Sequence, residues 1–173
     1  MRRMILLAFV SAGLAGLLWA QAEKRASPHE TTSAVIAGKK ITIEYGRPYK
    51  KGRKIFGGLE PLGKVWRTGA DEATTLTVEG HLMVGTQHIP AGTYGLFTIP
   101  DEKQWTLVIN KVAKQWGAFK YEQSQDLGRT PMQVRQLDAP VEQLTITIEA
   151  KGNEGVLKIA WDQTEASVAL VGH

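Results

Sequence analysis

The 173-residue sequence contains no cysteine. That excludes disulfides, zinc–thiolate centres and a cysteine nucleophile, and it leaves no residue to carry a lipoprotein's lipid. Stability therefore has to come from packing. Long apolar runs are also missing: after residue 22 nothing is apolar enough to cross a membrane as a helix. Helical periodicity is weak, and there is no internal repeat and no low-complexity linker. Phosphate-loop and dinucleotide fingerprints, an HExxH pair and a G-x-S-x-G elbow are all absent, and no cofactor is expected. Charge of either sign is nearly balanced. The 21 Lys and Arg against 17 Asp and Glu give +4, but Arg2 and Arg3 lie in the N-terminal 22 residues, and without them the excess is +2. A domain so close to neutral lacks the basic stripe of a nucleic-acid binder, and no nucleic-acid partner is expected.

The N-terminus reads as an export signal. Arg2 and Arg3 precede an apolar stretch over residues 4–19, and Ala20-Gln21-Ala22 supplies the small residues of a cleavage site after Ala22. The stretch is shorter than the roughly 20 residues a spanning helix needs; an uncleaved anchor is the alternative. The expected organisation is a signal peptide over 1–22, a flexible leader over 23–30 and a single β-sandwich domain over 31–173. The expected location is periplasmic or secreted.

Strand signals dominate the chain beyond the leader. Ile41, Ile43 and Tyr45 alternate with Thr42 and Glu44, and Leu76 and Val78 with Thr75, Thr77 and Glu79. Leu144, Ile146 and Ile148 alternate with Thr145, Thr147 and Glu149, and Leu157, Ile159 and Trp161 with Lys158 and Ala160. Period-two patterns rich in β-branched and aromatic residues bury one face of a sheet. Residues 94–99 and 105–109 are more uniformly apolar, as central strands are. Turn residues at Gly38-Lys39, Gly85-Thr86, Pro90-Ala91-Gly92, Pro100-Asp101 and Gly152-Asn153 separate the runs at short intervals, which favours antiparallel pairing. The expectation is an all-β fold, an antiparallel β-sandwich or jelly-roll-like barrel of about 8–10 strands. The best helical candidate is a turn or two within 114–126.

Residues 46–73 break this pattern. The 28 residues hold six of the 18 glycines, two prolines and seven basic residues: Arg47, Lys50, Lys51, Arg53, Lys54, Lys64 and Arg67. Against Glu60, Asp71 and Glu72 the segment carries +4, so the rest of the chain after residue 22 is net negative. Loops this long inside a domain are usually functional or disordered. Ile55, Phe56, Leu59, Leu62, Val65 and Trp66 predict order, because a disordered linker does not carry so much apolar surface.

Several motifs in and beyond this loop are long enough to be specific. They are Tyr45-Gly46-Arg47-Pro48, Lys51-Gly52-Arg53, Ile55-Phe56-Gly57-Gly58-Leu59 and Trp66-Arg67-Thr68-Gly69-Ala70-Asp71-Glu72-Ala73-Thr74. Pro90-Ala91-Gly92-Thr93-Tyr94, Leu96-Phe97-Thr98-Ile99-Pro100, residues 105–111, Trp116-Gly117-Ala118, Tyr121, Asp126 and Arg129 continue the series. Together they resemble the DUF2911 family, exported bacterial domains of unknown function, over about residues 28–171. The sequence departs at Asp71, where such sequences more often carry asparagine. The resemblance implies an export-associated single β-domain and brings no activity with it.

The residues themselves allow three functions. In the first, a binding domain, Arg47, Lys51, Arg53 and Arg67 on a glycine-rich backbone hold a small anionic or sugar ligand. Trp66, Asp71 and Glu72 line this site, and Trp116 and Tyr121 close it. Guanidinium forks suit planar and tetrahedral oxyanions, and glycines let backbone N–H groups approach. The structural alternative pairs Arg47 and Arg67 with Asp71, Glu72 or Glu44, stitching the loop to the sheet and offsetting its ordering entropy. In the second, a small envelope hydrolase, Asp71 or Glu72 acts with Arg67, or with Asp126 or Glu122 as a distant partner. Sequence neighbours on an extended chain point opposite ways, which weighs against Asp71 and Glu72 flanking one substrate. The third function is structural, an assembly partner in the envelope. The balance favours binding over catalysis.

Trp105 and Trp161 lie in alternating strands and are expected in the core, whereas Trp66 and Trp116 are the candidates for half-exposed stacking surfaces. His81 and His88 straddle the Gly85-Thr86 turn and should approach each other. A metal site there would need a third ligand such as Asp71 or Glu79, and no metal-binding spacing supports one; His29, in the leader, and His173, at the end of the sequence, are not candidates either, so no metal site is expected.

Overall fold

The computed structural model describes residues 26–172; the expected signal peptide, its cleavage after Ala22, and His173 lie outside them. Each alternating run forms a strand. β1 (His29–Ile36) and β2 (Lys39–Gly46) make a hairpin whose connecting Ala37 and Gly38 have φ of 50° and 74°. Positive φ at both positions is what a tight hairpin with the twist of its flanking strands needs. β1 starts at His29, so the end of the expected leader is strand. β3 (Thr75–Val78), β4 (Leu82–Val84), β5 (Gln87–Ile89), β6 (Gly92–Ile99) and β7 (Gln104–Asn110) come next at short spacing. A single 3₁₀ turn over Gln123–Gln125 stands in place of the expected turn or two of helix, and β8 (Asp126–Lys151) and β9 (Glu154–Gly172) follow it.

The nine strands of the described residues belong to one antiparallel sheet in the order β1-β2-β3-β6-β7-β8-β9-β4-β5. Nine strands fall within the expected range. The sheet does not close into a barrel, which corrects the jelly-roll-like alternative. It curls instead. Register shifts between Gln136 and Thr145 divide β8: its first part pairs with β7, and its last part forms a hairpin with the start of β9. The turn of that hairpin meets the β1–β2 turn, where Ala37 N–H donates to the Gly152 carbonyl at 2.9 Å.

The main core lies on the inner face and holds Ile41, Ile43, Leu76, Leu107, Ile146 and Ile159 among its members. Trp105 and Trp161 sit there too, as expected. A smaller cluster of Ala73, Phe97 and Val108 covers the other face of β6 and β7. Those two strands are thus buried on both sides, and that is why their sequences are continuously apolar.

The 46–73 segment leaves β2 and returns to β3, its neighbour in the sheet. It is ordered, and its own apolar side chains are the cause. Ile55 and Trp66 are fully buried, and Phe56 packs against the core. Trp66 stacks on Trp161 at 5.9 Å between centroids, and the Phe56 ring meets Trp105 edge-on at 4.6 Å. Backbone bridges finish the anchoring: Trp66 and Thr98 exchange two hydrogen bonds, and Leu144 N–H donates to the Pro48 carbonyl. Where the two limbs of the loop meet, a Cβ at Gly46 would stand 2.1 Å from the Ala70 carbonyl oxygen, so only glycine fits.

Trp66, read from the sequence as half exposed, is 2% exposed, while Trp116 is 60% exposed. Truncating Trp66 to alanine removes the centre of the aromatic cluster and should lower unfolding free energy by about 3–5 kcal/mol. Trp116→Ala should change it by about 0.5 kcal/mol or less. Urea unfolding followed by far-ultraviolet circular dichroism checks both.

Candidate functional site

The limbs of the loop do not lie flat on the sheet. Between them is a cavity of about 440 Å³. The outgoing limb contributes Tyr49, Lys51 and Arg53, the middle contributes Leu59 and Glu60, and the returning limb contributes Arg67, Gly69, Ala70 and Asp71. Trp161 lines the cavity from β9, and Ala26 and Ser27, just ahead of β1, complete its wall.

The cations differ in how they are held. Arg53 is tied to its own limb, its Nε donating to the Lys50 carbonyl at 2.9 Å and its Nη2 to the Tyr49 carbonyl at 2.6 Å. Lys51 has φ of 50°, and its N–H donates to Glu142 Oε1 at 2.9 Å. Arg67 is in none of the ion pairs among the described residues, and its Nε is shielded from solvent without a hydrogen-bond partner. The indole Nε1 of Trp161 is shielded and unpartnered too. A buried donor left unmade costs about 1–3 kcal/mol, and both of these residues line the cavity. Trp66 Nε1 is also unpartnered, but it sits in the aromatic cluster rather than on this wall.

Glu60 and Asp71 are the acids of the cavity. Burial pushes the Glu60 carboxyl up to about 7, against the pull of the nearby Arg67 and Arg53 charges. Below that pH the group is neutral and can donate a hydrogen bond. Backbone strain gathers here as well. Among the described residues, three of the five non-glycine residues with positive φ, Lys51, Thr68 and Asp71, lie on this loop. Such conformations persist where surrounding structure over-determines them, often at ligand sites.

Four expected site residues therefore converge: Lys51, Arg53, Arg67 and Asp71. Five do not. Arg47 is structural, with Nη1 on Glu30 at 2.7 Å, Nε on the Leu144 carbonyl and Nη2 on Thr145 Oγ1. Its ionic partner is Glu30, not Glu44, Asp71 or Glu72. Trp66 is core. Glu72 lines a separate, smaller pocket beside β2. Trp116 lies off the cavity; its segment touches the returning limb through backbone bonds, with Ala73 N–H on the Gln115 carbonyl and Gly117 N–H on the Asp71 carbonyl.

Tyr121 is not a lid. Its hydroxyl donates to Asp126 Oδ2 at 2.7 Å and accepts from Arg129 Nη2 at 2.7 Å, while Arg129 Nε binds the same carboxylate. Burial, then the Asp126 hydrogen bond, pushes this phenol up to about 12, and the triad ties Tyr121 to the start of β8. Asp126 is engaged by Asn110, Tyr121 and Arg129, and it does not line the cavity.

The expected Arg67 bridge to Asp71 or Glu72 is not formed. Both carboxylates instead face His29, at 3.7 and 3.2 Å from its Nε2. Sequence neighbours can converge because Asp71 has φ of 63°, which breaks the alternation of an extended chain. His29, not expected at a site, reaches them because the β1–β2 register sets it opposite Gly46, whose carbonyl accepts from Ala70 N–H. Glu60 and Trp161 went unrecognised as site residues: Glu60 carries no motif, and the alternation around Trp161 reports only its buried ring. His81 and His88 do approach, with ring centroids 5.0 Å apart, but no third metal-ligating side chain joins them among the described residues.

No curated protein and no solved structure matches the chain. The family described as a protein of unknown function, DUF2911, matches residues 27–170, which take in the whole loop, the cavity wall from Ser27 onward and every strand to near the end of β9; the chain belongs to that family.

Proposed function

We propose that this is an exported binding domain that takes a small anionic ligand, bearing a carboxylate, sulfate or phosphate group, in the cavity of the 46–73 loop. The observation that carries the reading is the pair of unpartnered, shielded donors on Arg67 and Trp161 in a cavity that Lys51 and Arg53 also line. An oxyanion supplies the acceptors both lack, and charge-assisted hydrogen bonds to a guanidinium are among the strong ones. A sugar bearing such a group suits the same wall, since Tyr49 and Leu59 add apolar surface to it. The arginine-rich export-type N-terminus supports a periplasmic or secreted setting.

One observation favours a second reading, a hydrolase. Glu60, with its carboxyl pushed up to about 7, shares the cavity with Asp71. A carboxyl held neutral near physiological pH beside a second carboxyl is the arrangement of an acid–base pair. In that reading Glu60 takes the role that residue order suggests for Glu72, which lines the other pocket.

Thermal unfolding in the presence of sulfate, phosphate and glucuronate tests the binding reading. Saturation at about 100 times Kd adds about 2.7 kcal/mol and raises Tm accordingly. Arg67→Ala should weaken binding by about tenfold or more, the scale of a hydrogen bond to a charged group. If no anion raises Tm, and Arg67→Ala lowers stability with no ligand present, the cluster is scaffold. Hydrolysis of nitrophenyl glycosides or esters that is lost in Glu60→Gln would select the second reading.

The Glu60 carboxyl sets the pH dependence. Glu60 gains a negative charge as pH rises through about 7, so sulfate, whose own charge is constant over this range, should bind more weakly at pH 8 than at pH 6. Glu60→Gln should flatten that profile. Stability depends on the same proton. The unfolded carboxyl ionises near 4.5 while the native one holds its proton to about 7. The contribution is therefore complete below 4.5 and is lost as pH rises through 7. Glu60→Gln should accordingly show a smaller fall in urea midpoint between pH 4.5 and 7.5 than the wild type.

A further inference from the structure

Beside the anion cavity, the described residues hold one group of three metal-ligating side chains: His29, Asp71 and Glu72 each offer a ligand atom within 4.8 Å of the other two. We propose that this group is a binding site for a divalent transition-metal ion, independent of any anion in the cavity.

The donor set is one imidazole nitrogen and two carboxylate oxygens. With no thiolate available, that mixture suits zinc or manganese better than a soft ion, and the imidazole makes a pure oxygen site for calcium a poorer match. For two of the three ligand pairs the spacing lies within about 0.1 Å of a tetrahedral edge. Bonds of about 2.0–2.2 Å place adjacent ligand atoms of a tetrahedron about 3.3–3.6 Å apart. His29 Nε2 stands 3.2 Å from Glu72 Oε2 and 3.7 Å from Asp71 Oδ2.

Two further features separate this cluster from a chance gathering of surface charge. Asp71 Oδ2 is shielded from solvent and has no hydrogen-bond partner, the imidazole lying beyond hydrogen-bond reach. A shielded carboxylate oxygen without a donor is costly, and a bound cation removes that cost. The ligands also come from separate parts of the chain on fixed backbone. His29 is placed by its register opposite Gly46, and Asp71 and Glu72 by the Gly117 N–H bond to the Asp71 carbonyl and the bridge between Glu72 and Trp116. The positive φ of Asp71 turns its carboxylate to the same side as that of Glu72. Three protein ligands leave a coordination position open, as in zinc sites that keep a water or an exogenous ligand.

Isothermal titration calorimetry of the chelator-treated protein with zinc or manganese chloride, in buffer free of sulfate and phosphate, tests the site directly. One ion should bind per chain. His29→Ala, Asp71→Asn and Glu72→Gln should each weaken binding by at least about tenfold, the scale on which even outer-shell partners act. Asn tolerates the left-handed backbone of position 71, and Gln keeps the size of Glu72, so loss of binding in these variants is not loss of fold. A double His81→Ala, His88→Ala variant should bind as the wild type does. The proposal is overturned if neither ion binds below millimolar concentration, if the three variants bind as tightly as wild type, or if binding disappears with His81 and His88. Failure of oxyanions to bind in the cavity would leave these outcomes unchanged, because neither sulfate nor phosphate is present.

Discussion

The insertion of Phe56 and Trp66 between Trp105 and Trp161 is the interaction on which the rest of the structure depends. A 28-residue excursion between two neighbouring strands has a large conformational entropy to lose, roughly 1–2 kcal/mol for each backbone residue fixed. Charge pairing at a surface contributes too little to offset that. Burial of Ile55, Phe56 and Trp66, with their edge-to-face and stacked ring contacts, is the contribution of the right size. Once those rings are seated, the two limbs of the loop are held apart and a cavity remains between them. The cavity is thus a consequence of core packing, not an addition to it.

The same anchoring sorts the loop's cations into two populations. Arg47 and Lys50 lie where the loop runs beside β8 and β9, and they are consumed there, Arg47 by Glu30 and Lys50 by Asp162 at 2.5 Å. Lys51, Arg53 and Arg67 lie where the limbs diverge and face the cavity. Counting charge along the loop cannot tell these populations apart. The acids divide likewise: Glu60 turns inward and is pushed up by burial, whereas Asp71 and Glu72 turn to His29.

How much could be read in advance differs sharply between fold and site. The strands were legible because period-two alternation is a local pattern, and Ile41, Ile43 and Tyr45 declare their buried face without knowledge of any neighbour. Order in the loop was legible from its apolar content. The openness of the sheet was not, because closure depends on the angle at which β8 bends between Gln136 and Thr145, and no short motif encodes that bend. Among the site residues, Lys51, Arg53, Arg67 and Asp71 could be named from their type and placement. Arg47 was misplaced because Glu30, its partner, belongs to a segment read as leader. Trp66 was misjudged because glycines around it resemble an exposed loop, while its burial is set by Trp161, almost a hundred residues away.

The amino-acid sequence by itself determined that the chain is a β protein without covalent staples, and that its positive charge is gathered into one apolar-rich loop. Those properties come from composition and from patterns spanning a few residues, so no distant contact is needed to read them. Only the tertiary structure decided which members of that loop meet in space. His29 comes beside Asp71 and Glu72 through strand register and a left-handed residue; Glu60 and Trp161 come to one cavity through the way two limbs are spread by buried rings. Convergence of this kind is a property of long-range pairing, and residue order carries no local record of it.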